Sequence, residues 1–179
     1  QNRHRHASHL LGLYPGNAIT DKTPELIEAC KVSLLDRGFG QKSGANGSGW
    51  GKANKVNLWA RAKDGNRAYS MLRELINKNI APNLWDFHPP YQMDGNCGYT
   101  SGVCEMLCYS SDDIIELLPA LPEEWKNGSV KGLCARGGYS LDFTWENGEI
   151  KSLSVYSSCG KKTARIKTGD EIKTVKTVG

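Results

Sequence analysis

The period of the hydrophobic residues changes near residue 112, and that change constrains the fold more than any other feature of the chain. Upstream, apolar side chains recur every three or four positions. Leu26, Ile27, Cys30 and Leu34 make one stripe; Ala68, Met71, Leu72, Leu75 and Ile76 make another. Thr23 followed by Pro24 reads as a helix start and Gly38 as its stop. A second helix is expected from near Ala53, carrying Val56 and Trp59. Asp64-Gly65-Asn66 separates it from the third, so that the two form an antiparallel hairpin. A further helix is expected from about Tyr99 to Tyr109. Downstream the runs are short: Ile114 to Leu118, Val130 to Ala135, Tyr139 to Trp145, Glu149 to Tyr156 and Thr163 to Ile166. Leu141, Phe143 and Trp145 alternate, and Asn147-Gly148 between two such runs is a hairpin turn, because both turn positions take positive φ. The expected fold class is mixed α and β in sequence-separated halves, helical over 1–111 and a small antiparallel β domain over 112–179. The glycine-rich stretch from Gly38 to Gly51 reads as an exposed loop.

A chain of 179 residues with 39% apolar content buries a core. The balance of 23 basic and 19 acidic residues gives a net charge of only +4, and basic residues gather only at Lys161, Lys162, Arg165 and Lys167. Neither nucleic acid nor an anionic membrane is an expected partner. No apolar run reaches bilayer length, and Gln1-Asn2-Arg3-His4 lacks the apolar stretch of a signal peptide. With no initiator methionine before a functional-looking motif, the chain reads as a piece of a longer polypeptide. The six cysteines show no CxxC pair. Cys97, Cys104 and Cys108 are spaced to share a helix face, and the set reads as buried free thiols.

All four histidines fall inside two polar segments, His4-Arg5-His6-Ala7-Ser8-His9 and His88-Pro89-Pro90-Tyr91-Gln92-Met93-Asp94-Gly95-Asn96. The functional site is expected where these meet. Arg5 is a fixed multiple donor and His6 a donor or acceptor, which suits a polyhydroxylated ligand; His9 reads as structural. Pro89-Pro90 stiffen the approach to Asp94, and Gly95 lets backbone come close to a ligand. A carboxylate held in this way can act as a base, orient water or bind hydroxyls, although Asp-Gly-Asn by itself is also an ordinary turn. The second motif is expected on the loop that leads into the helix at Tyr99. Trp50, Trp59 and Trp85 are available to pack on a sugar face, with Trp59, and to a lesser degree Trp50, better suited to the core. The histidine spacings match no HExxH or finger pattern, so no metal is expected. Two rival readings are a non-catalytic carbohydrate-binding module centred on the β half and a metal-dependent hydrolase using His4, His6, His88 and Asp94.

Six segments in order carry a resemblance: His4-Arg5-His6 with Ser8-His9-Leu10, Gly12-Leu13-Tyr14-Pro15-Gly16, Gly49-Trp50, Asn57-Leu58-Trp59-Ala60-Arg61, His88 to Asn96, and Leu117-Leu118-Pro119-Ala120-Leu121-Pro122. Together they resemble the C-terminal part of glycoside hydrolase family 95, the α-L-fucosidases. The resemblance implies the last helices of an (α/α)6 barrel followed by a β-sandwich-like domain. It implies hydrolysis with inversion and no cofactor, a glutamic acid protonating the leaving oxygen while asparagines and an aspartate activate water. Carried over by position, Asp94 matches that aspartate, and Arg5, His6 and His88 match sugar-binding positions. The general acid and the asparagines match nothing here and are expected upstream of residue 1, so that this chain alone is expected to be inactive. The implied partners are a fucosylated glycan and the rest of the same polypeptide, and the implied location is secreted or periplasmic. Gly51, Asn54, Tyr91 and Cys97 depart from the commoner residues of the family, which leaves fucose against L-galactose open.

Overall fold

The computed structural model describes residues 4–38, 49–88, 90–111 and 113–178. Four helices come first: α1 (Pro24–Arg37), α2 (Gly49–Arg61), α3 (Gly65–Asn79) and α4 (Met93–Leu107). Pro24 opens α1, and Gly38, at φ 52°, closes it by donating to the carbonyls of Leu34 and Leu35. Thr23 does not cap through its side chain, which bonds back to the Thr20 carbonyl instead. Ile27, Cys30 and Leu34 are buried at i, i+3, i+7 spacing, while Leu26, one step round the helix, is 43% exposed.

Helix α2 is the centre of the helical half. It packs against both α3 and α4, and from Gly51 to Ala60 only Asn54 is not buried. Its join to α3 is three residues long, which makes the pair antiparallel, and Asp64 caps α3 by accepting the Arg67 N–H at 3.0 Å. Ala68, Met71, Leu72 and Leu75 are buried as the periodicity predicts, but Ile76 is 46% exposed. Against α2, helix α4 presents glycine: a Cβ at Gly102 would lie 2.5 Å from Val56 Cγ1, so only glycine permits the separation. The loop expected from Gly38 to Gly51 falls largely outside the described residues. Its last three residues form the first turn of α2, with Gly49 and Gly51 buried.

Seven strands follow: β1 (Cys108–Ser110), β2 (Ile115–Leu117), β3 (Gly128–Ala135), β4 (Tyr139–Glu146), β5 (Glu149–Ser157), β6 (Thr163–Thr168) and β7 (Glu171–Lys176). They make two sheets, β1-β2-β6-β7 and β3-β4-β5. Both face one hydrophobic cluster that includes Ile115, Leu117, Leu141, Phe143, Trp145, Val155 and Ile166. The β4–β5 turn has Asn147 at φ 50° and Gly148 at φ 79°, as its sequence requires. The second half is not purely antiparallel, because β2 pairs parallel to β6 with Ile115 opposite Ile166. Sheet structure also begins at Cys108, directly after α4.

The thiols are free, but they are not uniformly buried. Cys30 and Cys108 are buried and Cys104 is half-buried, whereas Cys97, Cys134 and Cys159 are exposed. Cys97 and Cys104 lie on α4, but Cys108 belongs to β1, so the three do not share one helix face. Among the described residues no helix is long and apolar enough to cross a membrane.

Candidate functional site

The first motif runs irregularly into a short 3-10 turn, Ser8–Leu10, and α1 holds it in place. Arg37 Nη1 donates to the carbonyls of His4 and His6, each at 2.9 Å. The His6 N–H donates to His4 Nδ1 at 3.1 Å, and the two rings lie 5.2 Å apart. Arg5 has its Nε buried with no hydrogen-bond partner among the described residues. His9 is structural, its Nε2 bonded to Ser33 Oγ at 2.6 Å.

Asp94 does not sit on a loop before a helix. Helix α4 begins at Met93, six residues ahead of the expected start, and Asp94 lies exposed in its first turn. Cross-links wind this turn-like sequence into helix. Gln92 Oε1 accepts the Trp50 N–H at 3.0 Å, tying α4 to the start of α2. Asn96 Oδ1 accepts the Asp86 N–H at 2.8 Å, and Asn96 Nδ2 donates to the Leu84 carbonyl at 2.8 Å. A carboxylate in the first turn also complements the helix dipole.

The two motifs lie within electrostatic reach of each other through His6 and Asp94. His6 has its pKa held below the ordinary imidazole value by burial, then by the charges of Arg5 and His4, with Lys55 adding and the Asp94 carboxylate opposing. Arg5, His6 and Asp94 therefore share one electrostatic neighbourhood, in which His6 tends to the neutral form. Lys55 joins them from α2: 2% exposed, it donates to the Gly38 carbonyl at 2.6 Å, and burial lowers its pKa to about 8, with Arg37 and Lys52 adding. His88 is exposed on the loop ahead of α4, and its charge acts on Asp86. Pro89 lies outside the described residues.

Asp86 is the residue that sequence reasoning passed over. It is fully buried, and neither carboxylate oxygen has a hydrogen-bond partner among the described residues. A Cβ at Gly49 would lie 1.6 Å from its Oδ2 and one at Gly95 1.4 Å from it, so the carboxyl fills a slot between the first turns of α2 and α4. The available signal was an acid embedded in the apolar run Leu84-Trp85-Asp86-Phe87.

Of the three tryptophans, Trp59 is core at 4% exposure and Trp50 is half-buried beside Gly98. Trp85 is 42% exposed and meets Tyr91 edge-on at 4.6 Å, close in sequence to Asp94. Two clefts, of about 840 and about 640 Å³, lie elsewhere, at the junction of the halves, and share Asp21, Lys63, Glu116 and Lys167. Those four charges are spent on one another, Lys63 and Lys167 each bridging Asp21 and Glu116 at 2.6–3.1 Å. The junction is built as a joint.

Residues 1–107 match the glycosyl hydrolase family 95 catalytic domain, and residues 109–178 match the glycoside hydrolase family 95 C-terminal domain. The chain belongs to glycoside hydrolase family 95. Among its relatives are alpha-L-fucosidase 2 of Arabidopsis thaliana, 38% identical over 86% of this chain, and a probable alpha-fucosidase A of Aspergillus oryzae, 35% identical over 82%. A probable alpha-fucosidase A of Aspergillus niger is 33% identical over 92% of the chain. The chain spans 19–23% of the length of these curated relatives. The junction of the two family 95 domains, between residues 107 and 109, coincides with the passage from α4 to β1.

Proposed function

We propose that this chain forms part of a glycoside hydrolase that releases terminal α-L-fucose, from α-1,2 linkages, with inversion at the anomeric carbon. The observation that carries the reading is the electrostatic coupling of His6 to Asp94 in a chain of family 95. In this reading Asp94 accepts a proton from the attacking water, while Arg5, His6 and His88 donate to or accept from sugar hydroxyls. An exposed carboxylate beside a neutral imidazole and a guanidinium has the chemistry for both tasks. The four helices belong to the end of an (α/α)6 barrel and the two sheets form a sandwich behind it. The general acid, on the far side of the sugar, comes from the remainder of the polypeptide, so this chain by itself is inactive. The working place of the enzyme is outside the cytosol, where fucosylated glycans are displayed.

The test uses the full-length protein with 2′-fucosyllactose. Asp94→Asn should lower kcat by at least about a hundredfold with its fold intact. Proton NMR of the first-formed fucose should show the β anomer. Undiminished turnover by the variant removes Asp94 from the mechanism, and an α product removes inversion.

A further inference from the structure

Volume alone does not make a site, but one wall of the smaller junction cleft, of about 640 Å³, is built from side chains whose orientation is fixed. Arg61, the last residue of α2, has a side chain only 9% exposed and reaches that wall. Its Nε meets Glu105 Oε2 of α4 at 2.7 Å, and its Cζ lies 4.4 Å from the centre of the Tyr109 ring and 5.7 Å from that of Tyr14. Tyr14 is held in turn: its hydroxyl shares a 2.7 Å hydrogen bond with Ser101 Oγ, which bonds Asn57 Oδ1 at 2.7 Å. With Nε spent on Glu105, neither Nη of Arg61 has a hydrogen-bond partner among the described residues. A guanidinium fixed along one edge and stacked on a ring offers its remaining donors with little rotamer freedom left to lose.

Asn17, Thr20, Ser111 and Asp113 add polar groups to the same cleft, and Ile19, Ile114 and Ile172 give it apolar surface beside Tyr109. Its charges close in pairs. Lys63 and Lys167 are matched by Asp21 and Glu116, Arg61 by Glu105, and Lys22 and Asp113 contribute one charge of each sign. An ion entering such a cleft gives up hydration and meets no net counter-charge. A neutral molecule with hydroxyls on its edges and C–H groups on its faces loses less, and finds amide, hydroxyl, carboxylate and guanidinium partners next to an aromatic ring. The larger cleft, of about 840 Å³, has a different character: no aromatic ring lines it, and Asp21, Glu25, Glu28, Glu116 and Asp170 outnumber its lysines.

The cleft lies at the far end of α4 from Asp94. Asp94 is in the first turn of that helix and Tyr109 stands just past its last residue, Leu107, a separation along the axis of about 20 Å. We propose that the cleft is a second carbohydrate site, which takes a short neutral stretch of glycan between the helical and the β halves. Arg61 donates to sugar hydroxyls through its Nη groups, the Tyr109 ring packs on a sugar face, and Asn17, Ser111 and Asp113 complete the polar contacts. Binding there does not involve Asp94, so the inference stands apart from the catalytic reading. It gives the enzyme a hold on the body of a glycan that is independent of the terminal sugar.

The experiment titrates the full-length protein calorimetrically with lacto-N-tetraose, a neutral tetrasaccharide that contains no fucose. Wild type and Asp94→Asn should bind it with the same affinity. Tyr109→Leu removes the ring, and Ala18→Leu fills space from an exposed position that lines the cleft while leaving the Arg61–Glu105 pair untouched. Each should weaken binding at least about fivefold. Ala18→Leu keeps the test intact if Tyr109→Leu folds poorly. The anionic trisaccharide 3′-sialyllactose should bind wild type at least about tenfold more weakly than lacto-N-tetraose. Absence of binding by wild type overturns the inference, as it does if the rest of the polypeptide closes the cleft. Unchanged affinity in Ala18→Leu overturns it too, and loss of binding in Asp94→Asn places the sugar at the first turn of α4 instead. Tighter binding of 3′-sialyllactose overturns the neutral ligand.

Discussion

Lys63 and Glu116 face each other across the join of helices and sheets, with the lysine Nζ 2.8 Å from Oε1 and 3.0 Å from Oε2 of the glutamate. Lys63 follows α2, Glu116 is in β2, and Lys167 of β6 approaches the same Oε1 at 3.1 Å. Glu116 is 6% exposed, so removing its charge leaves two ammonium groups sharing Asp21 as their one counter-ion beside a poorly solvated position. Glu116→Gln should cost about 2–4 kcal/mol, while the paired change Lys63→Met with Glu116→Leu costs less. Thermal unfolding checks both, and a melting temperature unmoved by Glu116→Gln would show that the join does not depend on this carboxylate.

Gly95 admits no side chain. Its Cβ would fall 1.4 Å from Asp86 Oδ2, and the short buried aspartate has nowhere to retreat. Gly95→Ala should destabilise by more than about 3 kcal/mol. Cys97→Ala, two positions on and exposed, should stay within about 0.5 kcal/mol of wild type. Equal denaturant midpoints for the two would contradict the packing described here.

Lys55 makes stability depend on alkaline pH. Burial lowers its folded pKa to about 8 from 10.5, so between these values the unfolded chain binds more protons and stability rises with pH. The gain should be roughly 2 kcal/mol, after allowance for solvent screening, complete near the unfolded value and absent below pH 8. Denaturation at pH 7 and pH 10 measures it. Lys55→Met should flatten this dependence, and an unchanged slope in the variant would assign it to other groups.

Trp85, set edge-on against Tyr91 and 42% exposed, offers an aromatic face on the loop ahead of α4. Trp85→Ala should raise KM about tenfold, equivalent to about 1.4 kcal/mol, with kcat within twofold. A fall in kcat at constant KM would instead place this ring in the packing behind the first turn of α4.

The halves of the molecule were legible because their hydrophobic periods differ, and the Asn147-Gly148 turn was legible because its conformation is restricted to few residues. What escaped depends on partners distant in sequence. Leu117 pairs in parallel with Thr168 across fifty residues, a register that no local pattern encodes. The strands β1 and β7 were hidden, the first as a three-residue continuation of α4 and the second because Ile172 and Val175 do not alternate. Asp94, Arg5 and His6 stood out because unusual side chains cluster there. The helix start at Met93 did not, since it is secured by Gln92 and Asn96 reaching to Trp50 and to the loop at Leu84. Asp86 stayed hidden for the same reason: its neighbours Gly49 and Gly95 come from separate helices.

The parallel pairing of β2 with β6 has a consequence for the order of assembly. While the chain emerges from a ribosome, the residues that hold the first turn of α4 are complete well before Ile166 exists to lie beside Ile115. Until then Glu116 has only Lys63 and waits for its second cation from Lys167. A stretch synthesised later thus closes the clasp between the two domains, and a nascent chain halted before it would carry the four helices on an unlatched support.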